Sequence, residues 1–184
     1  MPLSLKDKNE TLILPQNQRI KVFKLVNNIF KINRKERFIM QNILNSLNTF
    51  LSDLNVFYRK LQNYHWNVKG KDFFVVHGKL EEYYNNVNEQ IDEIAEHILS
   101  LGGQPLGTLR DYLDTTKLAE AENKKVDSTV VFTEITKDFT TLLEEVTNIK
   151  KMADNETQYK TSALMDEIIE NYTKTLWMLK QSAE

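Results

Sequence analysis

The chain has 184 residues, 41% of them hydrophobic, and a net charge of -2, which is enough for one well-buried domain and short for two. It contains no cysteine, so disulfides, thiolate metal sites and a cysteine nucleophile are excluded, and metal chemistry falls to His, Asp and Glu, donors suited to iron, manganese or zinc. No run approaches the roughly 18 apolar residues of a membrane-spanning helix, and the opening MPLSLKDKNE lacks the apolar core of a signal peptide, so a soluble, cytoplasmic protein is expected.

Charge divides the chain. Residues 1–37 carry nine Lys or Arg against Asp7, Glu10 and Glu36 (net +6), which leaves residues 38–184 at -8. A basic N-terminal arm is therefore expected on an acidic body. Within the arm, IKVFKLVNNIFKI (20–32) can be drawn as a basic amphipathic helix with Val22, Leu25, Val26 and Ile29 on one face. That face has two readings: docking on the body or a neighbouring subunit, or contact with a membrane or nucleic acid.

From Met40 the apolar positions Ile43, Leu47, Phe50, Leu54, Phe57, Leu61 and Tyr64 alternate steps of three and four, which predicts one long amphipathic helix. A second is predicted from an Asp72 N-cap through Phe73, Leu80, Tyr84, Val87, Ile91, Ile94 and Ile98 to Gly102. Two further stripes, Phe132 to Ile149 and Met165 to Leu179, complete a set of four. The link from Gly102 to about Asp127 is too long for a turn, and LRDYLDTT within it suits a short helix. An all-α four-helix bundle over residues 38–184 is expected, with a long crossover carrying a short helix between helices two and three.

All three histidines lie between residues 64 and 97. A di-iron site inside a single bundle uses Glu-x-x-His, but Gln62, Phe74 and Ile94 stand three residues before His65, His77 and His97. On a helical wheel with His77 at zero, Glu81, Asp92 and Glu96 fall at about 40°, 60° and 100°. They form a polar stripe beside the hydrophobic seam, mixed with Phe74, Ala95 and Leu99, a combination that suits a subunit contact. His97, at about 200° on this wheel, is expected at the surface. His77 and Asp92 are separated by roughly 22 Å of helix, whereas metal bonds are about 2 Å long, so they cannot hold the same ion within one chain. Two antiparallel copies of helix two about a two-fold axis would instead bring His65 and His77 of one chain to Asp92 and Glu96 of the other, giving two sites per dimer.

HWNVKG, FFVVHGKLEEYY and IDEIAEHILSLGG resemble the Dps family of bacterial mini-ferritins, most clearly across residues 50 to 105 and again at LWML (176–179). The resemblance implies a ferritin-like four-helix bundle assembled into a hollow dodecamer with ferroxidase sites at the dimer interface. It implies His65, His77, Glu81, Asp92 and Glu96 as iron ligands, two irons per site, Trp66 beside the site, and peroxide-driven oxidation and storage of iron that protects against oxidative damage. Trp66 has two readings, simple packing or uptake of stray electrons. The sequence departs from the family at Ala163, where an aspartate commonly lines the three-fold iron pore; Asp154, Glu156 and Asp166 are the alternative sources of a negative field. Two other functions stand beside the ferroxidase: DNA binding through residues 1–37, and a structural bundle with a vestigial site.

Overall fold

A computed structural model describes residues 15–182. Helix α1 (Gln16–Asn67) follows Pro15 and contains neither glycine nor proline, so nothing in its backbone chemistry interrupts it. It starts well before Met40, where the apolar stripe begins. The chain divides between Ile39 and Met40 into two compact units. The proposed arm face of Val22, Leu25, Val26 and Ile29 lies outside the described side chains.

Gly70, at φ 137°, makes the turn into α2 (Phe73–Ser100). Asp72 precedes that helix, but its side chain makes no capping hydrogen bond, so the predicted N-cap is positional only. α2 ends where Gly102 takes φ 78° and the Leu101 amide closes on His97 O. A Cβ on Gly103 would lie 2.6 Å from Leu44 Cδ2 and 3.0 Å from Ile98 Cγ2, so glycine is required by this close approach. The crossover carries α3 (Leu109–Thr115), capped by Thr108 Oγ1 accepting from the Asp111 amide at 3.2 Å. α4 (Ser128–Asn155) and α5 (Tyr159–Ser182) follow, joined by a tight turn in which Thr157 takes φ 54°. The four long helices and short crossover helix match the architecture expected from sequence.

Two unpredicted strands, β1 (Val68–Lys69) and β2 (Val126–Asp127), pair in parallel with Val68 opposite Val126. They tie the turn between α1 and α2 to the head of α4, so α4 starts at the end of the bundle where α2 starts. The crossover therefore travels along the C-terminal part of α1, from Asn48 to Asn67, and side chains there hold it. Asn48 donates to Gln104 O and accepts from the Leu106 amide; Asp53 accepts from residues 116–118; Asn63 donates to Ala121 O, Glu122 O and Asn123 Oδ1.

The core is the seam read from the sequence, with Ile43, Leu47, Phe50, Leu54, Phe57 and Leu61 fully buried against Val87, Ile94, Ile98, Ile135, Leu142, Val146 and Met165. Phe139 sits at its centre, edge-on to Phe57 at 4.9 Å and to Tyr172 at 5.3 Å. Tyr172 is fully buried, and its hydroxyl donates to Gln90 Oε1 at 2.5 Å, which supplies the partner that a buried phenol needs.

Candidate metal centre

His65 closes the last turn of α1 and His77 lies in the second turn of α2, and the Gly70 turn folds one onto the other. Their rings stack at 3.6 Å with 21° between planes. Each holds the other's backbone: His65 Nδ1 is 2.8 Å from His77 O, and His77 Nδ1 is 2.8 Å from His65 O. A carbonyl accepts but does not donate, so both Nδ1 atoms carry a proton, and in the neutral tautomer that this bond selects Nε2 is the nitrogen with the lone pair. This is the orientation a metal-binding imidazole needs, with the second nitrogen fixed by a hydrogen bond.

Aromatic rings fix the pair further. Phe73 stacks on His77 at 5.0 Å, and Tyr84 meets His65 edge-on at 5.4 Å. Tyr84 stands seven residues after His77, back on the same flank, and that periodicity was the signal in the sequence that could have marked it. Its phenol is raised above its usual value, first by burial and then by Glu81, with which it shares a hydrogen bond. Glu81, one turn beyond His77, is thereby linked to the ring that packs on His65.

Asp92 and Glu96 lie one turn apart and exposed toward the other end of α2. The structure thus brings His65 and His77 together, with Glu81 one turn further along α2, and leaves Asp92 and Glu96 apart from them. Among the described residues no group of three or more His, Asp or Glu stands close enough within the chain to hold a metal ion. At the histidine end the surface is apolar and open, with Phe74 86% exposed, Val75 76% and Trp66 56%, and Leu99, 55% exposed, lies beyond Glu96 at the other end. Covering a large apolar side chain contributes about 1.5–3 kcal/mol, so this surface is suited to a second copy. Trp66 also borders a cleft of about 410 Å³ with Arg59, Lys60, Asn63 and Glu122.

The position of His97 corrects the surface expectation. It is half-buried, with Nε2 2.8 Å from Thr161 Oγ1 on α5, and burial, then Lys160, holds its pKa below the usual value. The wheel placed it off the stripe correctly but did not register that α5 covers that side. Ala163 is exposed near the start of α5. The carboxylates considered in its place are partly neutralised: Lys150 lies 2.9 Å from Asp166 and 3.4 Å from Asp154, and Asp154 accepts from Ser162 Oγ at 2.5 Å.

The Ferritin-like domain family model matches residues 44–184. A protein from Bacillus subtilis (strain 168) named general stress protein 20U is 37% identical over 140 residues, covering 76% of this chain and 96% of that protein. DNA protection during starvation protein 2 of Bacillus anthracis is 36% identical over 140 residues, covering 76% and 95%. Among solved structures, a Dps protein from Vibrio cholerae O1, described as a member of a broad superfamily of ferritin-like diiron-carboxylate proteins, superposes with a TM-score of 0.77 at 33% identity, covering 80% of this chain and 92% of that one. The fold and these matches define a ferritin-like protein. Within that class the chain belongs to the Dps family. Among the described residues no helix is long and apolar enough to cross a membrane.

Proposed function

We propose that this chain is a mini-ferritin that oxidises Fe(II), with hydrogen peroxide as oxidant, at sites shared between two copies, and stores the Fe(III) in a hollow cytoplasmic dodecamer, limiting oxidative damage. The observation that carries this reading is the reciprocal His65–His77 clamp, which fixes both rings through Nδ1 and leaves Nε2 of each as the nitrogen available to a ligand, while among the described residues the chain gathers no set of three His, Asp or Glu of its own. His65, His77 and Glu81 of one chain, with Asp92 and Glu96 of its mate, make a nitrogen and carboxylate donor set suited to iron. Two Fe(II) substrates each give one electron to peroxide, which takes two protons and leaves as water, so no hydroxyl radical is released. Tyr84 orients Glu81, and Trp66 lies exposed beside the pair, where it packs against the second copy or takes up a stray electron. The -8 charge of residues 38–184, multiplied by assembly, draws cations toward the shell.

Mixing tests the shared site. His65→Ala/His77→Ala chains and Asp92→Ala/Glu96→Ala chains should each be nearly inactive alone. Reassembled in equal amounts, they should regain about a quarter of wild-type sites, because half the dimers are mixed and each of those has one intact site. Mixed dimers that form yet stay inactive would reject the intersubunit arrangement.

A second reading, DNA association through residues 1–37, is supported by the arm's +6 charge and by Lys21, Lys24 and Arg34 exposed on α1. Deleting residues 1–37 should abolish DNA binding and spare iron oxidation. In the full-length protein each phosphate neutralised should add roughly -0.9 to the slope of log K against log salt. Unchanged affinity in an intact truncated oligomer removes the arm from DNA binding.

A further inference from the structure

Away from the histidines, the bundle interior holds a second polar cluster that the proposed iron chemistry does not use. Asp53 on α1 is completely buried and Glu145 on α4 nearly so. Asp53 Oδ1 is saturated by the crossover, accepting from Thr116 Oγ1 at 2.5 Å, the Lys117 amide at 2.6 Å and the Leu118 amide at 3.3 Å. Glu145 Oε1 accepts from Lys117 Nζ. The other two oxygens, Asp53 Oδ2 and Glu145 Oε2, are buried without a donor.

Two ionised carboxylates in one dry site repel strongly, and each orphaned acceptor carries a desolvation cost. A single proton between them removes both penalties. We propose that Asp53 and Glu145 share one proton inside the bundle, and that Lys117 on the crossover is the tethered cation that replaces this proton's charge when it leaves.

The other elements packed here supply no competing charge: Tyr172 on α5 is a neutral phenol held far above its usual pKa by burial and then by Glu145, and Gln90 on α2 is occupied by the Tyr172 hydroxyl. The Glu145 carboxyl is pushed up to about 7, by burial first and by Asp53 next, with Lys117 pulling the other way. Its folded pKa lies above its unfolded value, so the stabilisation is complete below about pH 4.5 and is lost as pH rises through about 7. Lys117 has a largely exposed side chain and already touches Glu145 Oε1 from the solvent side, so compensating the charge needs no rearrangement of the core. The Glu145 carboxyl therefore gives up its proton near neutrality.

Infrared spectroscopy of the full-length oligomer in D2O should show a protonated carboxyl C=O band at pH 5.5 that fades by pH 8.5. Glu145→Gln, whose amide can donate to Asp53, should remove the band. Lys117→Gln should lower the melting temperature little at pH 5.5 and clearly more at pH 8.5, and should shift the band's midpoint upward in pH. A wild-type spectrum with no such band overturns the shared proton. An equal melting-temperature loss in Lys117→Gln at both pH values overturns the exchange with Lys117, and this readout does not depend on Glu145→Gln folding.

Discussion

Replacing Lys60 by methionine isolates the cost of one buried charge. Lys60 Nζ lies 2.8 Å from Asp138 Oδ2, with 4% and 8% of the two side chains exposed, and the pair ties α1 to α4. Methionine retains the buried stem and removes the ammonium. Asp138 is already raised above its usual value by burial, against the pull of Lys60. Without Lys60 it either stays ionised and unpaired, at about 3–5 kcal/mol, or takes a proton. Protonation sets a ceiling: from the ordinary aspartate value of 3.8, holding the acid neutral costs at most about 4 kcal/mol at pH 7 and about 2 kcal/mol at pH 5. A raised carboxylate pKa contributes stability below the unfolded value and loses it as pH climbs, so the penalty must shrink on acidification. Denaturant unfolding of Lys60→Met at the two pH values, with Lys60→Met/Asp138→Asn as the control that recovers much of the loss, measures it. A loss under about 1 kcal/mol at pH 7, or one equal at pH 5, would refute the assignment of a buried, electrostatically dependent pair.

Tyr84→Phe keeps the ring edge-on to His65 and removes only the hydroxyl that orients Glu81; a several-fold slower Fe(II) oxidation with the melting temperature within a degree or two of wild type is expected, read by stopped-flow absorbance and calorimetry. Ala163→Asp, in a family whose pores commonly carry aspartate there, should speed iron uptake at low Fe(II) and lose that advantage in salt, with the saturating oxidation stoichiometry unchanged; unaltered uptake in an assembled variant would place the route elsewhere.

The parts of this molecule legible in its sequence are those that repeat. The seams from Ile43 to Leu61 and from Phe132 to Ile149 recur at helical spacing, and a long helix turns that spacing into a buried face, although Val131 rather than Phe132 is the residue fully buried at its start. The stripe of His77, Glu81, Asp92 and Glu96 was visible for the same reason, and rise per residue sufficed to separate its two ends. Helix α1 was cut short because Asn33 to Arg37 offer no apolar residue, although arginine, lysine and glutamate are good helix formers. Asp53, Asn63 and Glu145 were not singled out, since their partners lie far along the chain and no local pattern announces them. A two-residue strand pair has no period to detect. Ring stacking of His65 on His77 depends on the turn at Gly70, whose geometry spacing alone does not give.

The row of α1 side chains that grips the crossover also acts as a ruler. Asn48, Asp53, Asn63 and Val68 meet residues 104–106, 116–118, 121–123 and 126 in the same order, so each interval on the helix prescribes how much crossover chain must fit beside it. Between Asp53 and Asn63 the helix advances about 15 Å, and the crossover spans it from Lys117 to Glu122, five steps that reach only about 17 Å at full extension. Between Asn48 and Asp53 the helix advances only about 7 Å, while residues 106 to 116 coil into α3 and leave slack. Evolution and engineering therefore have different freedom in two adjoining stretches of one loop: inserted residues can be absorbed around α3, whereas a single deletion after Leu118 would pull a fastener off its mark.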